Sequence, residues 1–325
     1  MKFSIIIPVK AINDYVHENI EHILQQTYVD WEVFILPNEL EPNPWENNPE
    51  IRVISSGRVA PGRKRDLGAS HANGDVLVFL DDDSYPARDY LEIAYVSFSD
   101  PNVKAIGGPG ITPPDNNFLQ KLSGAILSSR FSGGFPERYV SIEYIKKNFS
   151  DWPSVNLLVR KSVFESVGGF DNDYWPGEDT LFCSKLHDTG FNIIYNPRLI
   201  VYHHRRENIS KHFSQIFKYG LFRGFLFRKG KSNSRKLVFI IPSTFVFFVV
   251  TTIIAPLLPE SVNNVFILLW LFYLGAMTYA LYEISRYNKI YVSFLAVILV
   301  PFTHLSYGVG FLIGLLSSNI QAKLR

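Results

Sequence analysis

Apolar residues fall along this chain in two regimes. Up to about residue 204 they come in short, β-branched runs; from Leu237 onward they come in runs long enough to cross a bilayer as helices. In the first regime SIIIPV (4–9), WEVFILP (31–37), IRVIS (51–55) and DVLVFLD (75–81) have the length and content of buried strands. A helical pattern runs from about Asn13 to Gln26, and RKRDLGASHANG predicts a second helix that ends at Gly74. Strands alternating with helices predict an α/β domain: a mostly parallel sheet with helices on both faces. Ligands of such sheets sit beyond the carboxyl ends of the strands. The fourth run ends there in Asp81-Asp82-Asp83.

The second regime predicts three transmembrane helices, near 237–258, 264–282 and 290–316, with charges only at their ends. Charge is divided as unevenly as hydropathy. Residues 1–202 carry 18 Lys and Arg against 27 Asp and Glu, whereas residues 203–236 carry 10 against 1. A basic stretch directly before a span marks the cytoplasmic side and attracts anionic lipid headgroups. That position favours membrane lipids over nucleic acid as its partner. The loop LPESVNN has no Lys or Arg and suits the far side, while Arg286 and Lys289 suit the near side. Lys323 and Arg325 would then fall on the far side, against the charge rule. The N-terminal MKFSIIIPVK has too short an apolar core for a signal peptide. Cys183 is the single cysteine, which fits a reducing compartment and a packing role. The expected division is the α/β domain over 1–204, a basic amphipathic juxtamembrane segment over 205–236, and a membrane domain over 237–325. The α/β domain is expected on the cytoplasmic side of a multi-pass cell-membrane protein.

Three adjacent carboxylates repel one another, and two readings follow from their chemistry. They form a solvated turn or helix cap ahead of PARDYLEIAYVSF, or they are half of a site for Mg²⁺ or Mn²⁺, which prefer carboxylate oxygens and are completed by phosphate. If the strand continues through them, Asp81 and Asp83 share a face and Asp82 turns away.

Three segments in fixed order sharpen the choice: SIIIPVK, then PGRKRDLGASHANGDVLVFLDDDSYP, then VGGFDNDYWPGEDTLFCSKLHDTGFNIIYNP. Together, over residues 3–204, they resemble a family 2 glycosyltransferase with the GT-A nucleotide-sugar-binding fold. The resemblance implies a nucleotide-diphosphate sugar donor, with Asp81 and Asp83 holding donor and metal and Asp82 near the ribose or sugar. Pro8 joins the donor site, as do Arg65 and Asp66 of RKRDLG, where the family has Ala-Arg-Asn-x-Gly; Arg65 would balance the diphosphate. Arg63 and Lys64 are weaker candidates for the same contact, with a solvated helix face as the alternative. Glu178-Asp179 in PGEDTLF stands where the family keeps its base. Asp179 would take the acceptor hydroxyl's proton with Glu178 as helper, which implies direct displacement with inversion. A helix-start pair favoured by the dipole is the plainer account. His203 in VYHHRR is the candidate third metal ligand, with His204 an equally visible neighbour.

Two departures matter. The second strand ends in ILPNELE, where many relatives have Asp-Asp-Gly-Ser, so Asn38 or Glu39 would meet the nucleotide. QIFKY (Gln215, Lys218, Tyr219) replaces Gln-x-x-Arg-Trp and also reads as an amphipathic helix on which Ile209, Phe213, Ile216, Phe217 and Gly220 share a face. GGPGITPP (107–114) reads as a flexible acceptor-side loop. Three spans imply an acceptor in the membrane, a lipid-linked sugar or glycan of surface polysaccharide assembly. The alternatives are a polyprenyl-phosphate sugar synthase and an inactive nucleotide-sugar-binding scaffold.

Overall fold

The computed structural model describes residues 1–143, 149–318 and 320. Lys323 and Arg325 lie outside the described residues. In chain order the elements are β1 (Phe3–Pro8), α1 (Asp14–Leu24), β2 (Trp31–Leu36), β3 (Ile51–Val53), α2 (Pro61–His71), β4 (Val76–Phe79), β5 (Ser84–Pro86), α3 (Tyr90–Phe98), β6 (Ala105–Gly107) and β7 (Gly110–Ile111). Then follow α4 (Phe118–Ile126), α5 (Arg130–Gly133), β8 (Leu157–Arg160), α6 (Lys161–Ser166), α7 (Glu178–Asp188), β9 (Ile193–Tyr195) and β10 (Val201–His203). The chain closes with α8 (Ile209–Arg228), α9 (Ile241–Ile254), α10 (Glu260–Ser285) and α11 (Ile290–Leu316). These elements form two compact units. One comprises Met1–Pro113 and Val140–His204, the other Pro114–Tyr139 and Arg205–Ile320.

The first unit is a seven-stranded sheet in the order β3-β2-β1-β4-β8-β6-β9, with a second sheet in the order β5-β10-β7. β3, β2, β1 and β4 pair in parallel, as the alternation of strands and helices predicts. β8 then enters antiparallel to both β4 and β6, so the sheet is mixed. Every residue of β1 is buried because both faces of the strand are covered. Phe3, Ile5 and Ile7 point into one core with Val76 and Val78, while Ile6 points into the other with Leu77 and Phe79. Two apolar layers therefore clamp the central strands and leave their carboxyl ends as the open edge.

Two local expectations change here. β4 stops at Phe79, so Asp81, Asp82 and Asp83 lie in the turn to β5 and strand alternation does not govern them. The first half of 107–114 is not a loop: Gly107 and Gly110 belong to β6 and β7, and residues 107–110 are buried, while residues 112–114 form a connection. A Cβ on Gly107 would lie 2.3 Å from the Trp152 ring, and one on Gly108 would lie 1.9 Å from the Leu199 carbonyl. These glycines permit close approach.

In the second unit three helices are long and apolar enough to cross a membrane: Leu237–Leu257, Glu260–Ser285 and Ile290–Leu316. Residues 114–139 group with them, although the sequence suggests a continuous domain to residue 204. Leu122, Ala125 and Ile126 of α4 pack on Ile284, Val292 and Ala296. The Glu283 carboxylate accepts from Ser129 Oγ at 2.7 Å and from the Arg130 N–H at 2.9 Å. His304 Nε2 lies 2.8 Å from the Phe131 carbonyl and Nδ1 lies 3.1 Å from the Tyr273 hydroxyl. The amphipathic α8 packs along α11 through glycines on both. A Cβ on Gly220 or Gly224 would lie 2.1 Å from the Tyr307 or Phe311 carbonyl, and one on Gly314 would lie 1.9 Å from that of Leu221. Small residues let helix backbones approach this closely.

Candidate active site

The open edge of the sheet collects the acidic turn, the start of α7 and the buried face of α2. Three features build the acidic turn. Ser84 Oγ donates to the Asp81 carbonyl at 2.8 Å. Asn13, which caps α1, donates from Nδ2 to Asp82 at 3.0 Å. β10 pairs antiparallel with β5, which sets His203 opposite Ser84. That register brings His203 Nε2 to 3.2 Å from Asp83 Oδ1. One ligand atom each from Asp81, Asp83 and His203 lie within 4.8 Å of one another. Two carboxylates and an imidazole are a donor set that suits Mn²⁺ or Mg²⁺. Asp82 is directed elsewhere; burial, and then the Asp83 charge, push its carboxyl above the usual range.

The adjacent histidines, indistinguishable in sequence, separate here. His203 faces Asp83, whereas His204 is buried with Nε2 2.7 Å from Glu18. The His204 N–H also donates to the Asp83 carbonyl at 2.9 Å, so β10 holds the turn by its backbone as well.

Gly177, at φ 114°, makes the turn that opens α7, a conformation that favours glycine. Glu178 and Asp179 occupy the helix's first turn. Asp179 is half-buried and accepts from the Thr180 N–H at 2.7 Å. Glu178 is buried; burial, then the Asp179 charge, push its carboxyl up, while Arg65 pulls it down.

The tetrapeptide Arg63-Lys64-Arg65-Asp66 reaches four different places from one turn of α2. Arg63 pairs with Asp171 at 2.7 Å and Asp173 at 3.0 Å. Lys64 is not solvated, as its place on a helix suggests, but 4% exposed. Its ammonium donates to the Val9 carbonyl at 2.5 Å, the Leu36 carbonyl at 3.1 Å and Asn38 Oδ1 at 2.6 Å. Arg65 is 2% exposed; its Nη2 meets Asp81 at 2.7 Å and its Nη1 meets Glu178 at 3.0 Å. Both outer nitrogens are thus held by carboxylates, in place of the diphosphate contact expected. Asp66 is likewise engaged within the protein: it accepts the N–H groups of Phe170 at 2.8 Å and Asp171 at 2.9 Å. Burial raises its carboxyl against those two bonds.

Of the remaining donor candidates, Pro8 ends β1 beside Leu36 of β2, and Asn38 lies buried under Lys64. Glu39 turns outward, its side chain 70% exposed and paired with Arg58 at 3.2 Å. In the second unit Gln215 Nε2 donates to the Tyr219 hydroxyl at 2.7 Å, a contact along one face of α8. The sequence reading missed the contact of Asn13 with Asp82 and the buried bonds of Lys64. Asn13 carries a signal, a side chain that caps a helix beside a strand end; Lys64 carries none, because its burial depends on β1 and β2.

The sequence signature of Glycosyl transferase family 2 matches residues 4–168. The chain is 25% identical over 272 residues to the dolichyl N-acetyl-α-D-glucosaminyl phosphate 3-β-D-2,3-diacetamido-2,3-dideoxy-β-D-glucuronosyltransferase of Methanococcus voltae, which covers 78% of this chain and 82% of that one. It is 25% identical to the O-antigen chain rhamnosyltransferase RfbN of Salmonella typhimurium, with coverages of 68% and 72%. Among solved structures it resembles the mannosyltransferase PcManGT of Pyrobaculum calidifontis in complex with GDP-Man and Mn²⁺. That likeness has a TM-score of 0.60 at 16% identity, over 91% of this chain and 86% of that one, and it concerns the fold.

Proposed function

We propose that this chain, which belongs to glycosyl transferase family 2, moves a sugar from a nucleotide-diphosphate donor to a lipid-linked glycan acceptor, with inversion at the anomeric carbon. The observation that carries the reading is the convergence of Asp81, Asp83 and His203 at the sheet's open edge, joined through Arg65 to the Glu178-Asp179 pair. Asp81, Asp83 and His203 would hold Mg²⁺ or Mn²⁺, and the bound cation would offset the charge of the departing nucleoside diphosphate. Asp82, held by Asn13, lines the donor side, with Pro8 and Asn38 at the adjoining strand ends. Asp179, the more exposed of the acidic pair, takes the proton from the attacking hydroxyl. Glu178 is too deeply buried to serve and instead orients the start of α7.

Three apolar helices and the basic stretch over 203–236 support a multi-pass protein whose catalytic domain faces the cytoplasm. The name of the Methanococcus voltae relative specifies a dolichyl-phosphate-linked sugar as its acceptor, and that of the Salmonella relative an O-antigen chain. The first favours a lipid-linked sugar over bare polyprenyl phosphate here, and the second favours a growing glycan as acceptor. The test pairs activity with binding. Detergent-solubilised Asp179→Asn should bind donor and Mn²⁺ as the wild type does and lose transfer by about 100-fold or more. Full turnover in that variant would refute the assignment of the base. Transfer to soluble sugars with none to polyprenyl-linked acceptors would refute the acceptor.

A further inference from the structure

We infer that Arg65 is a positioning residue: a buried strut that sets the distance between Asp81 and Glu178 and makes the cation-binding and base-bearing ends of the site one rigid assembly, without touching the donor. This rests on the functional reading above. Asp81 and Glu178 come from segments far apart in sequence and would repel across a low-dielectric interior. One guanidinium lies between them, its two outer nitrogens 2.7 Å and 3.0 Å from the two carboxylates. Its carbon stands 5.4 Å from the Phe170 ring centroid. With its side chain 3% exposed, Arg65 has no open face for a diphosphate. Arg65 takes one oxygen of Asp81, and the carboxylate's second oxygen remains for a cation.

The strut is itself braced. Lys64 fastens α2 to the ends of β1 and β2, and Asp66 and Arg63 fasten it to residues 170–173 ahead of α7. Arg65 therefore projects from a helix turn tied on both sides, and a planar fork can pin two carboxylates where a single ammonium cannot. A shift of Asp81 is passed to Glu178, and through it to its chain neighbour Asp179.

The experiment uses the full-length protein in detergent with the variants Arg65→Lys, Arg65→Met, Glu178→Gln and the Arg65→Met/Glu178→Gln double. Without metal or donor, Arg65→Lys should raise amide hydrogen exchange in peptides covering both 79–86 and 174–182. Its kcat should fall about 100-fold, the cost of a small misplacement of reacting groups, with donor KM within about threefold of wild type. The double variant should be no slower than Arg65→Met alone, because linked groups are not additive. The strut is overturned if exchange in the free protein is unchanged, or if donor KM rises about tenfold while kcat holds, or if the two losses multiply. Should Arg65→Met fail to fold, exchange and kinetics of Arg65→Lys and the near-isosteric Glu178→Gln decide alone. A wild type without metal-dependent transfer would refute the functional reading, and the exchange measurement would still judge the strut.

Discussion

At the scale of the residue, adjacent side chains of similar chemistry have been sorted into different tasks by burial and by partner. His203 and His204 are the plainest pair: one faces Asp83 and the other is buried against Glu18. His203→Ala should therefore weaken Mn²⁺ binding about tenfold or more, as followed by the loss of the free-ion electron paramagnetic resonance signal, while His204→Gln should not. Lys64 offers a second test. Burial pulls its ammonium down from the ordinary lysine value to about 8. A lysine with a depressed folded-state pKa binds fewer protons folded than unfolded between about 8 and the usual value near 10.4, so its stability contribution rises with pH in that window. Thermal unfolding should show the wild type gaining on Lys64→Met between pH 8 and 10. At neutral pH that variant leaves the Val9 carbonyl and Asn38 Oδ1 without this donor, a loss of about 1–3 kcal/mol for an unsatisfied buried group. The acidic clusters were legible in sequence because their chemistry resides in residue identity. The grouping of Asp81 with Asp83 was legible for a reason that does not apply, since a turn and not a strand arranges them. The tasks of Lys64, Arg65 and Asp66 were not legible, because each depends on a partner from a distant segment.

At the scale of the element, the parallel strands and the three apolar helices follow from periodicity, which is local. What periodicity cannot convey is close approach. The glycines of 107–114 are the residues of a loop until Trp152 and Leu199 are in place, and only then a requirement for missing side chains. The same holds for α8, whose amphipathic pattern is plain but whose glycine face has meaning only against α11. Over-packing that contact should cost about 1–3 kcal/mol. Gly224→Leu should unfold at lower temperature in detergent than Gly275→Leu, since a Cβ at Gly275 meets nothing within 4 Å and one at Gly224 would press on the Phe311 carbonyl.

At the scale of the whole molecule, the boundary at residue 204 read from composition misses the segment 114–139. Nothing in its length or charge marks it as a companion of α10 and α11; only the burial of Leu122, Ala125 and Ile126 does. A chain ending at His204 would leave that apolar face of α4 uncovered. We expect it to elute as aggregate in size-exclusion chromatography, and Leu122→Glu/Ile126→Lys in the same short chain to shift it toward monomer. The pairing of β5 with β10 joins ligand residues about 120 positions apart, a loop that must close before the triad exists. A ribosome that has added Asp81 and Asp83 has yet to make His203, so the nascent chain carries two of the three candidate ligand residues for about 120 further positions. The third arrives before Leu237, where the first apolar helix begins. The cluster of Asp81, Asp83 and His203 is therefore complete in sequence before any of the three long apolar helices has been made.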